Sequence, residues 1–313
     1  MTVILVVTHS TDLSADLVIR HLRNRRVDFL RLDTNRLGTP ECHFSFEDGP
    51  TLRIDGRTIA QLDCGAIWAR RFARPAAEHG LDVRYREFVR RENSVVMDAF
   101  LETAACFQMN PYMADRLAGN RLVQSQRAAA VGLTVPSSCV TQDVSETKAF
   151  LEQHPRTVIK ALSFGRLTDG SDATAYPVAY TSVVSPDTDW SGLAVAPVLL
   201  QARVDGHFEW RVTTVGERVF SARTASQVGV DWRNQEAPPP FEIATLPVTA
   251  ENALLALCRD SGIFYGAHDL IETPEGEFVF LETNPAGQWG WLEAALDLPI
   301  GKAIADELVV RHG

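Results

Sequence analysis

Several features are missing from this chain of 313 residues, and each absence excludes a class of protein. Its five cysteines are widely spaced and include no CxxC pair, which argues against a zinc site and a disulfide framework. No stretch approaches the roughly 18 consecutive apolar residues that a membrane-spanning helix needs. The start, MTVILVVTHS, has no basic segment before its apolar run, so it predicts a buried strand and no signal peptide. We therefore expect a cytoplasmic protein with reduced thiols.

An excess of positive charge is also missing, because 30 Lys and Arg face 40 Asp and Glu for a net charge of −10. Neutralising a nucleic-acid backbone requires a basic surface, so a general nucleic-acid-binding function is excluded. The phosphate-binding pattern GxxxxGK[ST] is absent, so any nucleotide site is of another type. Hydrophobic residues make up 45% of the chain, enough for the cores of one large or two to three small domains.

The first third of the chain has an α/β pattern. Val3–Val7 and Val27–Leu32 predict strands, and apolar residues from Leu13 to Leu22 recur at helical spacing between them. Together they predict a βαβ unit with a parallel sheet. The segment TLRIDGRTIA predicts a hairpin at Asp55-Gly56, GAIWARR a further strand, and residues Arg86 to Phe107 a long amphipathic helix.

The remaining two thirds alternate between helical and extended patterns. A helix is predicted from Asn120 to Ala130, then a strand in TVIKAL, then a glycine-containing segment at Gly165–Gly170. Residues 195–226 predict three consecutive antiparallel strands. NALLALCRDSG predicts a helix closed by Gly262, and a last helix is predicted around Ile300 to Val310.

A candidate metal site lies in FVFLETNPAGQW, where Glu282 and Asn284 share one face of a predicted strand. A turn signal at Pro274–Gly276 predicts a hairpin that places Asp269 opposite Glu282, about 5 Å apart between Cβ atoms. Carboxylates at that distance repel, so we expect a cation between them. Asp269, Glu282 and Asn284 offer oxygens of the kind that Mg²⁺ prefers. The alternative is that Glu282 and Asn284 cap a turn while Asp269 points to solvent.

A candidate nucleotide site is spread over three other strands. Lys160 is either a lysine at a sheet margin or a charge for nucleotide phosphates. The apolar strand before Gln201 can present backbone groups to an adenine edge. Glu209 and Arg211 share a strand face, where Glu209 can accept from ribose hydroxyls and Arg211 can bind a developing oxyanion. The alternative for these last two is a cross-strand ion-pair ladder.

The order of these features resembles the ATP-grasp fold, from about Pro111 to the C-terminus. The resemblance implies a glutathione-synthetase-like α/β (α+β) architecture with an N-terminal pre-ATP-grasp α/β domain. It further implies three parts: the N-terminal domain at 1–112, a central lid subdomain at 113–197 and a C-terminal catalytic subdomain at 198–313. ATP is expected between the last two.

The resemblance also implies a role for each candidate residue. Lys160 and Arg211 are expected to be catalytic, and Asp269, Glu282 and Asn284 to hold Mg²⁺. Arginine at 121 departs from the usual lysine and keeps the positive charge. The ATP-binding residues implied are Arg121, Lys160, Gln201, Ala202, Arg203, Val204 and Glu209.

AIWARR, YTSVV, APVLLQARVDGHFEWRV, DWR at 231–233 and FLETNPAGQWGWLE resemble the graspetide synthetases, which are peptide maturases of the microviridin type. This resemblance spans nearly the whole chain, and Gln288, Trp289 and Trp291 distinguish it from generic ATP-grasp ligases. It implies that ATP phosphorylates an Asp or Glu side chain of a ribosomal precursor peptide. A Thr or Ser hydroxyl, or a Lys amine, of that peptide then closes an ω-ester or ω-amide ring.

The expected partner is a precursor peptide with a leader and an acidic, Thr-containing core, and the expected assembly is a homodimer. A protein of net charge −10 needs a local basic surface for an acidic peptide. Arg70, Arg71 and Arg74 begin an arginine cluster that we expect to bind it, the alternative being a solvated helix face. Two other functions stay open: an ATP-grasp ligase that adds a free amino acid, and a non-catalytic nucleotide-binding regulator. The precursor, the ring pattern and the leader-docking surface stay open too.

Overall fold

The computed structural model of this chain has four β-sheets among the residues that it describes. The structure describes residues 2–34, 41–45, 47, 49–54, 56–71, 82–162, 181–226 and 239–312. Its strands are β1 (Val3–Thr8), β2 (Phe29–Asp33), β3 (Glu41–Ser45), β4 (Gly49–Ile54), β5 (Arg57–Ala60), β6 (Cys64–Ala69), β7 (Phe107–Gln108), β8 (Ser138–Thr141), β9 (Thr157–Lys160), β10 (Ser182–Val184), β11 (Val198–Ala202), β12 (Phe208–Val215), β13 (Arg218–Ala225), β14 (Glu242–Ile243), β15 (Tyr265–Glu272) and β16 (Phe278–Asn284). Its α-helices are α1 (Leu13–Asn24), α2 (Val83–Glu102), α3 (Tyr112–Ala118), α4 (Arg121–Ala130), α5 (Val144–Gln153), α6 (Val248–Ser261), α7 (Gly290–Leu296) and α8 (Ile300–Arg311).

The first sheet is parallel and has the order β2-β1-β6-β7. Every residue of β1 is buried, as expected for a parallel strand covered on both faces. Helix α1 links β1 to β2 and is capped by Asp12, whose carboxylate accepts from the backbone N–H groups of Ser14 and Ala15. The predicted βαβ unit is confirmed. The predicted hairpin at Gly56 is confirmed as well, because β4 and β5 pair with only two residues between Ile54 and Arg57.

The long helix predicted to reach Phe107 ends earlier. Helix α2 stops at Glu102, and Phe107 lies instead in β7, where it pairs with Ala66 of β6. The helical spacing of apolar residues continues past the true end, so the prediction was wrong at this end. Pairing with a strand about forty residues away overrides the local pattern.

The second sheet is antiparallel, in the order β10-β9-β11-β8. We predicted that β11 would continue into one three-stranded unit with β12 and β13. The structure pairs β12 with β13 as predicted, but β11 joins the second sheet between β9 and β8. Leu200 of β11 is fully buried there, in a small core with Leu151 and Val184.

The third sheet carries most of the candidate site and has the order β14-β13-β12-β15-β16. Helix α6 packs against it with Leu254 and Leu257 and ends at Gly262, whose φ of 68° is left-handed, as predicted for a glycine cap. The last helix, predicted around Ile300 to Val310, is confirmed as α8.

Helix α8 joins the first and third sheets. It contacts α1 and β6 on one side and β12 on the other. Buried side chains of this core include Ile4 from β1, Val215 from β12 and Ile304 from α8. The division into 1–112, 113–197 and 198–313 stays a prediction. No described helix is both long and apolar enough to span a membrane.

Candidate active site

Two carboxylates face each other across the hairpin of β15 and β16. The register pairs Asp269 with Glu282 and Ala267 with Asn284, so the predicted pairing is confirmed. The register shifts between Asp269 and Leu270, which makes Leu281 the extra residue of a β-bulge. Bulges are frequent beside active sites because they redirect a side chain at the point where pairing changes.

Positive charge lies against this pair, as its mutual repulsion requires. Arg211, directly opposite Asp269 on β12, donates from Nη1 to Asp269 Oδ1 at 2.7 Å. Arg121, the first residue of α4, brings Nη2 to 2.9 Å from Glu282 Oε2. Burial acts to lower the pKa of Arg211, but the charges of Asp269, Tyr265 and Glu282 and the hydrogen bond to Asp269 together outweigh it, so that pKa is raised and the guanidinium stays charged.

The donor set of this hairpin fits a hard divalent cation. Asp269 and Glu282 offer carboxylate oxygens, and the amide oxygen of Asn284 accepts from the N–H of Ala286 at 3.1 Å, which orients it. The candidate ligands are therefore two carboxylates and one amide. Across the described part of the chain, no group of three or more His, Cys, Asp and Glu side chains could hold a metal ion. Mg²⁺ is usually held by one or two carboxylates together with substrate phosphates.

Lys160 and Gln201 meet on the second sheet. Lys160 Nζ donates to Gln201 Oε1 at 2.7 Å, and Gln201 Nε2 donates to Ser138 Oγ at 3.1 Å. Since Gln201 is buried, this contact fixes the position of the ammonium group at the end of β9. The segment Gly165–Gly170, predicted to cover phosphates, lies outside the described residues.

The strand predicted to hold adenine ends at Ala202. The N–H of Ala202 donates to Ser137 O and that of Arg203 to Arg156 O, each at 2.8 Å. These bonds fix the backbone where the chain leaves β11 for Val204. The assignment of adenine to this stretch stays a prediction.

Glu209 and Arg211 share a face of β12, as predicted. Trp210 between them is buried in the core with Leu254, so its neighbours point the opposite way. Ser226 Oγ donates to Glu209 Oε1 at 3.4 Å, and no ion pair between Glu209 and Arg211 is found among the described residues. Arg211 pairs instead across the strands with Asp269 of β15, which is the contact that the ion-pair ladder predicts for this arginine.

The three arginines predicted to bind peptide have different environments. Arg70 is only 4% exposed, and its Nε lies 2.9 Å from Asp12 Oδ2, at an angle too bent for a hydrogen bond. Burial thus removes Arg70 from the basic surface expected for it. Arg71 is exposed, with a left-handed φ of 45°, and Arg74 lies outside the described residues.

Sequence reasoning missed a polar anchor behind the site. Asn110 Oδ1 accepts from the N–H groups of Phe264 and Tyr265 at 2.8 Å, and Asn110 Nδ2 donates to the carbonyls of Tyr265 and Pro285. Tyr265 Oη donates in turn to the carbonyl of Gly287 at 2.8 Å. These contacts tie the loop after β16 to the first residues of β15. Asn110 is more than 150 residues away in sequence from Phe264, Tyr265 and Pro285, so no local pattern reveals these bonds.

Sequence reasoning also missed a buried histidine next to Asp269. His268 Nδ1 lies 2.8 Å from Thr283 Oγ1, and its Nε2 lies 3.0 Å from Thr214 Oγ1. Burial lowers the pKa of His268 to about 3, so the ring is neutral near pH 7. Its hydrogen bonds link β12, β15 and β16 beneath the carboxylates.

Comparison with known proteins gives matches over part and over all of the chain. A family model described as the MvdD pre-ATP-grasp domain matches residues 3–116. No curated protein matches the sequence significantly. Among solved structures, macrocyclase MdnC of Microcystis aeruginosa MRC, bound with precursor peptide MdnA, is 27% identical with a TM-score of 0.88 over 99% of both chains.

Two further solved structures have similar length and fold. Macrocyclase MdnB of Microcystis aeruginosa MRC is 28% identical, with a TM-score of 0.83 over 99% of both chains. A ribosomal-peptide-associated ATP-grasp ligase of Chryseobacterium gregarium, solved with ADP and a leader and core peptide, is 25% identical. It has a TM-score of 0.85 over 99% of this chain and 97% of its own.

Proposed function

We propose that this chain, an ATP-grasp ligase of the peptide-macrocyclase group with an MvdD-type N-terminal domain, closes rings in a ribosomally made precursor peptide. Its family, fold and ligase class are those predicted from the sequence, and full-length likeness to macrocyclases confirms them. The observation that carries the proposal is the charged site of β12, β15 and β16 within that fold. Asp269 and Glu282 face each other there across one hairpin, and Arg211 of β12 lies opposite Asp269.

The proposed reaction has two steps. A side-chain carboxylate oxygen of the peptide attacks the γ-phosphorus of ATP, and the bond between that phosphorus and the oxygen of the β-phosphate breaks. ADP departs, and the peptide now carries an acyl phosphate. A Thr or Ser hydroxyl, or a Lys amine, of the same peptide then attacks the acyl carbon. Inorganic phosphate leaves with the electron pair, and the attacking group loses its proton. Each ring thus consumes one ATP and removes one water from the peptide.

Arg211 has the charge and position to stabilise the transferring phosphoryl group. Phosphoryl transfer depends mainly on positioning and on charge stabilisation, so a fixed guanidinium beside the carboxylate pair suits it. Asp269, Glu282 and Asn284 would hold Mg²⁺, which neutralises phosphate charge when it is bound. Arg121, held at Glu282, adds a second positive charge.

The nucleotide is proposed to bind between the second and third sheets. Lys160 would contact its phosphates, Gln201–Val204 would lie along the adenine, and Glu209 would accept from the ribose. The fixed positions of Lys160 Nζ and of the backbone at Ala202 support this arrangement. A rigid contact needs little ordering when the ligand binds, which favours affinity.

The peptide is proposed to have a leader and an acidic, Thr-containing core. Arg71, Arg74 and the neighbouring helix α2 would receive the core. Two arginines of α2 are paired with carboxylates, Arg84 with Asp82 and Arg91 with Glu87, so their charge is partly neutralised. Arg71 at the end of the first sheet is therefore the main candidate. We further propose a homodimer in the cytoplasm.

Reconstitution tests the function. The purified chain, ATP and Mg²⁺ would be incubated with a candidate precursor peptide that carries a leader and an acidic, Thr-containing core, and the product analysed by mass spectrometry. The proposal predicts that the peptide loses one water mass per ring while ADP forms in equal amount. ATP turnover that requires a free amino acid, without the peptide, would favour the other ligase function. Binding of ATP without any turnover would favour a regulator.

A further inference from the structure

The loop after β16 connects Arg211 to the N-terminal part of the chain, which here means the first sheet and helix α1. Besides its bond to Asp269, Arg211 donates from Nη2 to the backbone carbonyl of Gln288 at 3.1 Å. The side-chain oxygen of the same Gln288 accepts from Ser14 Oγ at 2.9 Å and from Arg70 Nη2 at 3.3 Å. One residue therefore contacts the phosphoryl-transfer arginine with its backbone and the N-terminal part with its side chain.

The two donors from the N-terminal part are themselves fixed. Ser14 is 3% exposed in the first turn of α1, and its N–H donates to Asp12 Oδ1 at 3.2 Å. Arg70 follows β6 directly, with its N–H bonded to Val7 O at 2.9 Å and its guanidinium beside Asp12 Oδ2. Thr8 Oγ1 donates to the same carboxylate oxygen at 2.7 Å. These buried polar groups hold one another in place, so both donors approach the loop from a defined position.

Gly287 and Gly290, which precede and follow Gln288, are packed too closely to carry a side chain. A Cβ at Gly287 would lie 2.6 Å from Ala267 Cβ and 3.0 Å from Arg211 Nη2. A Cβ at Gly290 would lie 2.8 Å from Ser14 Oγ. The loop is thus wedged between β12 and β15 on one side and α1 on the other. Because close-packed interiors transmit strain, a displacement at one side is expected to reach the other.

We propose that Ser14 and Arg70 are positioning residues for the reaction. They hold the carboxamide of Gln288, which fixes its backbone carbonyl and thereby the guanidinium of Arg211 against Asp269. The inference rests on the proposed function, in which Arg211 stabilises the transferring phosphoryl group. The N-terminal part then completes the catalytic site. Misplacing a reacting group by about 1 Å can cost about 100-fold in rate.

Kinetics of matched variants test this role. Gln288→Met removes the side-chain acceptor and keeps the backbone carbonyl, while Ser14→Ala removes one donor with minimal loss of packing. We expect Gln288→Met to lower kcat for ring formation about 10- to 100-fold, as for other supporting contacts at active sites, with KM for ATP unchanged. The double variant should be no slower than Gln288→Met, because both changes act through one oxygen. Gln142→Met, at an exposed glutamine bonded to Ala194 O, is the control and should leave kcat unchanged.

A second measurement reports on Arg211 without any substrate. The ¹H–¹⁵Nε NMR signal of Arg211, assigned by its loss in Arg211→Lys, should shift or broaden in Gln288→Met and in Ser14→Ala but not in Gln142→Met. If the wild-type chain closes no rings yet this signal responds, Ser14 and Gln288 still position Arg211 but the proposed function fails; if rings form and the signal responds while kcat does not change, the role in the reaction is overturned. If the wild type closes rings and neither kcat nor the signal changes in these two variants, the positioning role is overturned.

Discussion

Replacing Glu282 by Gln separates the catalytic role of the carboxylate pair from its role in stability. The change keeps the shape of the side chain and removes its charge. Glu282 is 8% exposed, and its Oε2 lies 2.9 Å from Arg121 Nη2. In the proposed site this carboxylate would also help to hold Mg²⁺. The variant therefore loses a cation-binding charge at the point where phosphate charge must be neutralised.

The two effects differ in size. Hydrogen bonds to charged groups contribute about 1.5–3 kcal/mol and neutral ones about 0.5–1.5 kcal/mol, so weakening the contact with Arg121 should cost about 1 kcal/mol of unfolding free energy. Loss of a preorganised electrostatic contact costs about 100-fold or more in kcat, and 100-fold corresponds to about 2.7 kcal/mol of activation free energy. Turnover should thus be lost while the protein stays folded.

The assay is ADP release together with ring formation, alongside urea unfolding of the same preparation. Glu277→Gln, at an exposed position before β16 in the same hairpin, is the matched control and should behave as wild type in both. If Glu282→Gln turns over like the wild type, the assignment of Glu282 as a metal ligand is refuted. If it is inactive only because it is unfolded, the carboxylate is structural.

Three further predictions follow from other contacts. Lys160→Met should weaken ATP binding about 10- to 150-fold, the equivalent of about 1.5–3 kcal/mol for a charged hydrogen bond, and calorimetry showing unchanged affinity would make Lys160 structural. Arg71→Glu should slow peptide modification, most strongly at low salt, and leave ATP affinity unchanged; an equal effect at all salt concentrations would argue against a surface charge contact. Burial acts to raise the pKa of Asp306, but bonds from Lys302, Arg218 and Arg25 lower it to about 2. Its stabilising effect is therefore present above pH 4 and lost as the pH falls towards 2. Asp306→Asn should lower the free energy of unfolding by about 1 kcal/mol at pH 7, after solvent screening, and by almost nothing near pH 2. Denaturant unfolding at the two pH values measures this difference.

The parts of the site that were predictable depend on local signals. The turn signal at Gly276 predicts the hairpin, but the pairing of Asp269 with Glu282 also depends on the β-bulge at Leu281, because without it Asp269 would lie opposite Leu281. The alternation of side chains along a strand places Glu209 and Arg211 on one face. The hairpin and this shared face depend on the period of a strand and on the preference of glycine for positive φ, which is 84° at Gly276, whereas the bulge has no such local signal.

The parts that were not predictable depend on long-range partners. Phe107 continues a helical spacing but pairs with β6. Strand β11 is not part of the expected three-stranded unit, because it forms its backbone hydrogen bonds with β8 and β9. Arg70 begins a cluster of arginines that predicts a surface position, yet its side chain is buried beside the carboxylate of Asp12. Ser14 and Gln288 are 274 residues apart, and no period in the sequence connects them.

The most direct test of the account follows the oxygen atoms of the peptide. Precursor peptide labelled with ¹⁸O in its Asp and Glu carboxylates would be incubated with the chain, ATP and Mg²⁺, and the released phosphate analysed by mass spectrometry. An acyl phosphate requires that one labelled oxygen pass from the peptide to inorganic phosphate for each ring formed. Rings that form with unlabelled phosphate would contradict activation of the carboxylate by ATP.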